Sequence, residues 1–293
     1  MLVRALMAAL LLPSVLLAQD TTAAKASLLQ ADRDAATSAA TWRRVLAPRA
    51  SVLIPGRAVL HGAAQYEPAL PALRTVRDGE PAWTPVHAVV SADGDFGCTT
   101  GIWHLAPADS TKPSTGRYAG CWRRTRRGDW RQLSLSVSYA PSAVKSLPTI
   151  IERAPGSSGM AAPRRSRPAR AMAAADRAFA QFSADSGGPA GAFSRWVAAD
   201  GMMLGARAVP VRGPDEVRQA FAGYPATGHF DWGPIDSLAV ASRDGSLGFT
   251  IGEARNAPTP TSVSYSKYLT IWRREGDGTY KWIFDIGSER PAK

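Results

Sequence analysis

The chain has 293 residues, of which 45% are hydrophobic and 20% charged, with two cysteines and a formal net charge of +11. It is long enough for two ordinary domains and too apolar to be disordered. Two cysteines are too few for a disulfide scaffold, and no His or Cys falls at zinc-like spacing, so a metal site is not expected.

Residues 1–18 read MLVRALMAALLLPSVLLA, with one positive charge at Arg4, an apolar run from Ala5 to Leu17 and a small residue at Ala18. This is the layout of a secretory signal peptide, with Leu16 larger than the usual cleavage site prefers. The run is shorter than the roughly 20 residues a membrane-spanning helix needs, so no stable membrane insertion is expected. A secreted or periplasmic chain follows, and in an oxidising compartment Cys98 and Cys121 are expected to pair; the alternative is two free buried cysteines.

Beyond the leader the sequence repeats itself. ADRDAA (31–36) matches ADRAFA (175–180), GRAVLHG (56–62) matches ARAVPVRG (206–213), and AWTPVHAVVSADGDFG matches DWGPIDSLAVASRDGSLG. FGCTTG (96–101) then matches LGFTIG (247–252), and YAGCWRR (118–124) matches YLTIWRR (268–274). Five blocks in one order, with a period far above that of solenoid repeats, predict duplication of a whole domain. The expected organisation is a first domain over 19–140, a linker over 141–171 and a second domain over 172–293.

Each copy opens with an alanine-rich helical segment and a short apolar stretch, WRRVLA or FSRWVAAD. A short helix follows in the second copy, with Pro214 in its first turn and Asp215 and Glu216 at its positive end. SLAVAS, LGFTIGEA, VSYSKYLTIWRR and TYKWIFDIG then read as strands with Asp-Gly turns at Asp244-Gly245 and Asp277-Gly278. Helices first and an antiparallel meander afterwards predict an α+β fold, two tandem domains in which helices pack on one face of a curved antiparallel sheet. If the hairpins pair in register, Cys98 faces Cys121 where the second copy has Phe249 and Ile271, and Glu253 faces Lys267 where the first has Ile102 and Arg117.

The segment PSAVKSLPTIIERAPGSSGMAAPRRSRPAR (141–170) is rich in Pro, Gly, Ser and Arg and reads as a flexible linker. Charge is uneven: residues 19–140 hold 15 basic and 10 acidic side chains, whereas 172–293 hold 13 of each. Arg123, Arg124, Arg126 and Arg127, with Arg164, Arg165 and Arg167 in the linker, offer a basic patch to phosphate or an anionic surface; the plainer reading is solvated charge. Without a nucleic-acid-binding signature, no nucleic-acid partner is expected. There is no G-x-S-x-G elbow, P-loop or complete dinucleotide fingerprint, so no cofactor is expected.

In Trp232-Gly233-Pro234, LGFTIG, the Tyr268 to Trp272 strand and DGTYKWIFD, the chain resembles the nuclear transport factor 2-like superfamily, which includes ketosteroid isomerase and the SnoaL-like cyclases, and within it small exported proteins of unassigned function. The resemblance covers nearly all of 172–290 and, more loosely, 27–138. It implies that each domain is cone-shaped, with a pocket between helices and sheet, used across the superfamily for isomerisation, cyclisation, hydration or ligand binding, and a fold does not choose among these. Isomerase chemistry needs a buried carboxylate base and hydrogen-bond donors for a developing enolate. The candidates are Asp285, Glu253, Asp236, Asp231 and His229 as acid or base and Tyr265 or Tyr268 as donor. Asp285 stands out because the first copy has Leu135 there, while Trp196, Trp232 and Trp272 are expected to line a pocket or fill the core, with Tyr268 and Glu253 beside them. The leading expectation is a small-molecule-binding or accessory protein with its pocket in the second domain. The alternatives are a cofactor-free isomerase, cyclase or hydratase working through Asp285, and a scaffold or interaction module built on domain pairing or a homo-oligomer.

Overall fold

A computed structural model describes residues 21–73, 80–104, 115–139, 147, 167–205, 207 and 209–292. The expected leader and nearly all of the expected linker, including Arg164 and Arg165, lie outside the described residues. Residues 21–36 form α1, followed by α2 (Ala39–Val45), β1 (Leu46–Leu53), β2 (Leu60–His61) and α3 (Ala63–Tyr66). Strands β3 (Trp83–Val90), β4 (Phe96–His104), β5 (Thr115–Arg124) and β6 (Trp130–Tyr139) complete the first unit. The second begins with α4 (Arg167–Phe182), so its helix starts inside the stretch expected to be linker, and α4 runs into a π-helical turn, Ser183–Gly187. Then come α5 (Gly188–Trp196), β7 (Val197–Met203), β8 (Val211–Arg212), α6 (Gly213–Ala220), β9 (His229–Pro234), β10 (Val240–Ala241), β11 (Leu247–Thr259), β12 (Ser262–Arg274) and β13 (Tyr280–Glu289).

The result is α+β with two sheets, ordered β2-β1-β6-β5-β4-β3 and β10-β11-β12-β13-β7-β8, with β9 also paired to β11. Both sheets are mixed, because β1 runs parallel to β6 and β7 parallel to β13. The expectation of purely antiparallel sheets is corrected here. WRRVLA and FSRWVAAD each turn from helix straight into a strand that docks on the last strand of its own sheet, and the long chain between the two partners permits the parallel pairing. Both β5–β6 and β12–β13 carry a register shift one residue before or at the same tryptophan, between Cys121 and Trp122 and between Ile271 and Trp272. Such shifts bend a sheet locally.

The registers agree position by position. Cys98 lies opposite Cys121 and forms the expected disulfide, with Cα atoms 4.0 Å apart; Phe249 lies opposite Ile271 and Glu253 opposite Lys267. The alternation of the strands sends these residues to one face and Tyr118, Trp122, Tyr268 and Trp272 to the other. The first face is shared: Phe96, Cys98 and Cys121 form one apolar cluster with Phe249, Leu269, Ile271 and Phe284, so the two sheets pack against each other. Phe96 and Phe249 stack at 6.3 Å. At the rim, the Asp93 and Asp244 backbone amides each donate to the other's carboxylate at 3.2 Å. The opposite faces carry the helices, over separate cores in the first and second units.

Candidate functional site

Under each helical layer, an aspartate from the first long helix meets a tyrosine from the sheet. In the first domain Asp32 is fully buried, and its Oδ2 accepts from the Tyr118 hydroxyl at 2.6 Å while its Oδ1 accepts from the Trp83 indole at 2.7 Å. In the second domain the fully buried Asp176 accepts from the Tyr268 hydroxyl at 3.0 Å through Oδ2. The matching indole belongs to Trp232, yet Asp176 Oδ1 and Trp232 Nε1 are both buried with no hydrogen-bond partner among the described residues. The same polar set is thus closed in one domain and open in the other.

Four register positions explain the opening. Trp103, Gly120, Leu135 and Val137 of the first sheet correspond to Ala254, Thr270, Asp285 and Gly287 of the second. Trp103 is fully buried, stacks on Trp83 at 4.8 Å and meets Tyr118 edge-on at 6.1 Å. Where its indole would stand, the second domain has the methyl group of Ala254. A cavity of about 70 Å³ results, with Trp232, Ala254, Tyr268, Thr270, Asp285 and Gly287 among its walls. Phe193 and Phe230 also line it, and Phe230 is shared with a wider outer hollow of about 480 Å³ between the π-helical turn and the segment from Phe221 to Asp231.

The electrostatics follow from burial. Desolvation raises the Asp176 carboxyl to about 7; the nearby Thr250 and Tyr268 hydroxyls oppose the rise and the neighbouring Asp285 adds to it. Asp285 is enclosed except for the edge that lines the cavity, and burial raises its carboxyl to about 6 against a hydrogen bond that Thr270 donates to Oδ2 at 2.6 Å. Tyr268 is pushed well above its ordinary value by burial and by the negative potential of Asp176 and Asp285. A glycine fixes its ring: a Cβ on Gly252 would lie 2.3 Å from the Tyr268 hydroxyl oxygen and 2.2 Å from the Gly233 carbonyl oxygen.

The sequence candidates separate into two groups. Trp232, Tyr268 and Asp285 are brought together at the cavity. Trp272 is buried beneath it and donates to Thr250 at 2.8 Å, and Trp196 packs on Phe179 at 5.7 Å under the Arg195 guanidinium. Glu253 pairs with Arg290 at 3.4 Å, away from the cavity wall, while the opposed Lys267 donates to the Glu289 carbonyl at 2.6 Å. Asp236 pairs with Arg177, Asp231 with Arg255 at 3.6 Å, and His229 borders the outer hollow. Tyr265 lies beneath the Arg290 guanidinium. Asp176 was not among the candidates, although its signal was present: ADRDAA and ADRAFA place the same acid in two alanine-rich helices. Among the described residues no three His, Cys, Asp or Glu side chains gather as a metal site, and no helix is long and apolar enough to cross a membrane.

Fold and site define a helix-covered, bent sheet with a buried acid–tyrosine pair, present twice, with a cavity beside the second pair. Solved structures similar to part of this chain include a ketosteroid isomerase-like protein from Erwinia carotovora atroseptica, at 16% identity, covering 41% of this chain and 94% of that one, with a TM-score of 0.34. A putative ketosteroid isomerase from Parabacteroides distasonis matches at 18% identity over 39% of this chain and 83% of its own, with a TM-score of 0.31. An NTF2-like protein of unknown function from Pseudomonas putida matches at 13% identity over 44% and 89%, with a TM-score of 0.29. No family model and no curated protein matches the chain.

Proposed function

We propose that the second domain binds a small, largely apolar molecule carrying one hydroxyl or carbonyl group, and that the first domain is its closed counterpart, derived by tandem duplication. The observation carrying this reading is the replacement of Trp103, Leu135 and Val137 by Ala254, Asp285 and Gly287, which leaves aromatic walls around a few convergent polar groups. That mixture characterises small-molecule sites. Asp285 accepts a hydrogen bond from a ligand hydroxyl through its cavity edge. Below about pH 7 Asp176 is protonated and donates to the Tyr268 oxygen, which frees the Tyr268 hydroxyl to donate to a ligand carbonyl. Above that pH the hydroxyl is held by the Asp176 carboxylate. Read as a secretory leader, residues 1–18 support a role for this binding protein outside the cytoplasm.

The test is a titration with phenol, the smallest neutral aromatic with one hydroxyl, followed by calorimetry. The expected result is saturable binding to the wild-type chain and its loss in Gly287→Val, which installs the first domain's residue. Equal binding by both proteins refutes the assignment.

A second reading is favoured by the Asp285 carboxyl near 6 beside a tyrosine donor. Asp285 then removes a proton next to a carbonyl and Tyr268 holds the developing oxyanion, which makes the domain a cofactor-free isomerase, cyclase or hydratase. Activity requires Asp285 ionised and Asp176 protonated, so its pH profile is a narrow bell with limbs near 6 and near 7. Full turnover by Asp285→Asn rules this reading out.

A further inference from the structure

The hairpin tips β5–β6 and β12–β13 share one geometry and differ in charge, the first carrying Arg126, Arg127 and Asp129 where the second has Gly276, Asp277 and Thr279. The Thr125 amide donates to the Asp129 carbonyl at 2.7 Å and the Gly128 amide to the Thr125 carbonyl at 3.1 Å; the Glu275 amide donates to the Thr279 carbonyl at 2.8 Å and the Gly278 amide to the Glu275 carbonyl at 3.0 Å. Beside each tip a basic side chain from the last strand reaches the end of the helix before the parallel strand: Arg131 donates to the Arg44 carbonyl, and Lys281 to the Arg195 carbonyl. This contact places the α2 arginines, Arg43 and Arg44, next to the first tip, a juxtaposition that separation in the chain conceals.

In the second domain this corner is neutralised. Arg273 is held by Asp200 at 2.7 Å and by Glu275 at 2.9 Å, and Asp277 occupies the turn. At the same positions the first domain has Arg49 for Asp200, Thr125 for Glu275, Arg126 for Gly276 and Arg127 for Asp277. Arg43, Arg44, Arg49, Arg126, Arg127 and Arg131 are exposed, and none is ion-paired among the described residues. Arginine at a helix C-terminus complements its dipole, which accounts for Arg44 and Arg195 alike but not for arginines on a turn that is acidic in its counterpart. A general preference for arginine in the chain does not explain it either, because Asp200 and Asp277 stand where the first corner has Arg49 and Arg127.

We propose that this corner of the first domain is a docking surface for an anionic lipid bilayer. Phosphate headgroups supply many negative charges on one plane, and exposed arginines near such a plane add their attractions without inserting. A leader like that of residues 1–18 delivers a chain across a membrane whose headgroups are then the polyanion at hand. Single-stranded nucleic acid fits less well, since it is held by stacking on aromatic rings, and the exposed large hydrophobic residues among those described are Val86, Tyr139, Val209 and Val263, none at this corner.

The test is co-sedimentation of the full chain with phosphatidylglycerol/phosphatidylcholine vesicles and with pure phosphatidylcholine vesicles. Partition into the anionic vesicles only, reversed by about 1 M salt, is the expected result. Arg126→Gly with Arg127→Asp, the residues that the second domain carries on the same turn, removes two positive charges and adds a negative one. At about fivefold per charge near the surface, partition falls on the order of a hundredfold. The reciprocal change, Gly276→Arg with Asp277→Arg, strengthens it. Equal partition of wild type and the Arg126/Arg127 variant overturns the proposal, as does binding to neutral vesicles. Tighter binding to a DNA duplex at equal phosphate concentration also overturns it and gives the corner to nucleic acid.

Discussion

Replacing Asp176 by asparagine isolates the cost of one buried carboxyl. Asp176 has no exposed surface, its Oδ1 has no hydrogen-bond partner among the described residues, and burial raises its carboxyl to about 7 from 3.8. The folded state therefore holds a proton that the unfolded chain has released across that interval, and stability falls as pH rises from about 4 to 7. Each pH unit costs about 1.4 kcal/mol while only the unfolded chain titrates, and the slope halves by pH 7, so the loss between pH 5 and 7 is about 2 kcal/mol. Asparagine stays neutral, and its amide oxygen accepts from Tyr268 as Oδ2 does. The stability of Asp176→Asn relative to wild type should rise by about 3 kcal/mol between pH 5 and pH 8, measured as the urea transition of tryptophan fluorescence at each pH. A difference that does not change with pH would mean that water or rearrangement lets Asp176 titrate in the ordinary carboxylate range, and the account of the buried pair would fail. Asp32→Asn contrasts in its hydrogen bonds, although burial raises the Asp32 carboxyl as well. Both Asp32 oxygens accept hydrogen bonds, from Tyr118 and from Trp83, and an amide nitrogen cannot accept. One buried donor is stranded, and the variant should lose about 1–3 kcal/mol through that bond.

Two further outcomes follow from the packing. Trp103→Ala removes a fully buried indole that stacks on Trp83 and should cost about 3–5 kcal/mol; a crystal structure of the variant should show a new cavity beside Tyr118, and collapse of the helix into that space would refute the role given to Ala254. Replacing both cysteines by alanine frees a loop of 23 residues in sequence separation and should cost about 3 kcal/mol. Denaturant melts with and without the disulfide check this value, and no loss of stability would show that the apolar contact with the second sheet suffices alone.

The strand register was legible because alternating strands and tight Asp-Gly turns leave little freedom to slip. Aligning FGCTTG with LGFTIG therefore placed Cys98 opposite Cys121, Phe249 opposite Ile271 and Glu253 opposite Lys267. The parallel strands were illegible for the opposite reason: nothing local in WRRVLA says which distant edge it will join. Asp285 attracted attention because its counterpart is leucine. Asp176 escaped because an aspartate followed by an arginine in an alanine-rich helix looks solvated, and only the tertiary fold turns it onto Tyr268. The cavity was hidden still further, since it depends on a missing side chain at Ala254, and periodicity does not record what a small residue fails to fill.

The shared apolar face between the sheets has a consequence for how the halves can change. Two identical subunits meeting through such a face would carry every substitution twice, so a tryptophan that plugs one cavity would plug both. Here the partners are encoded separately on one chain. One interior can be sealed with indoles and one corner loaded with arginine while the other keeps its opening and its neutral surface. On such a chain a substitution in one half leaves the other half unchanged.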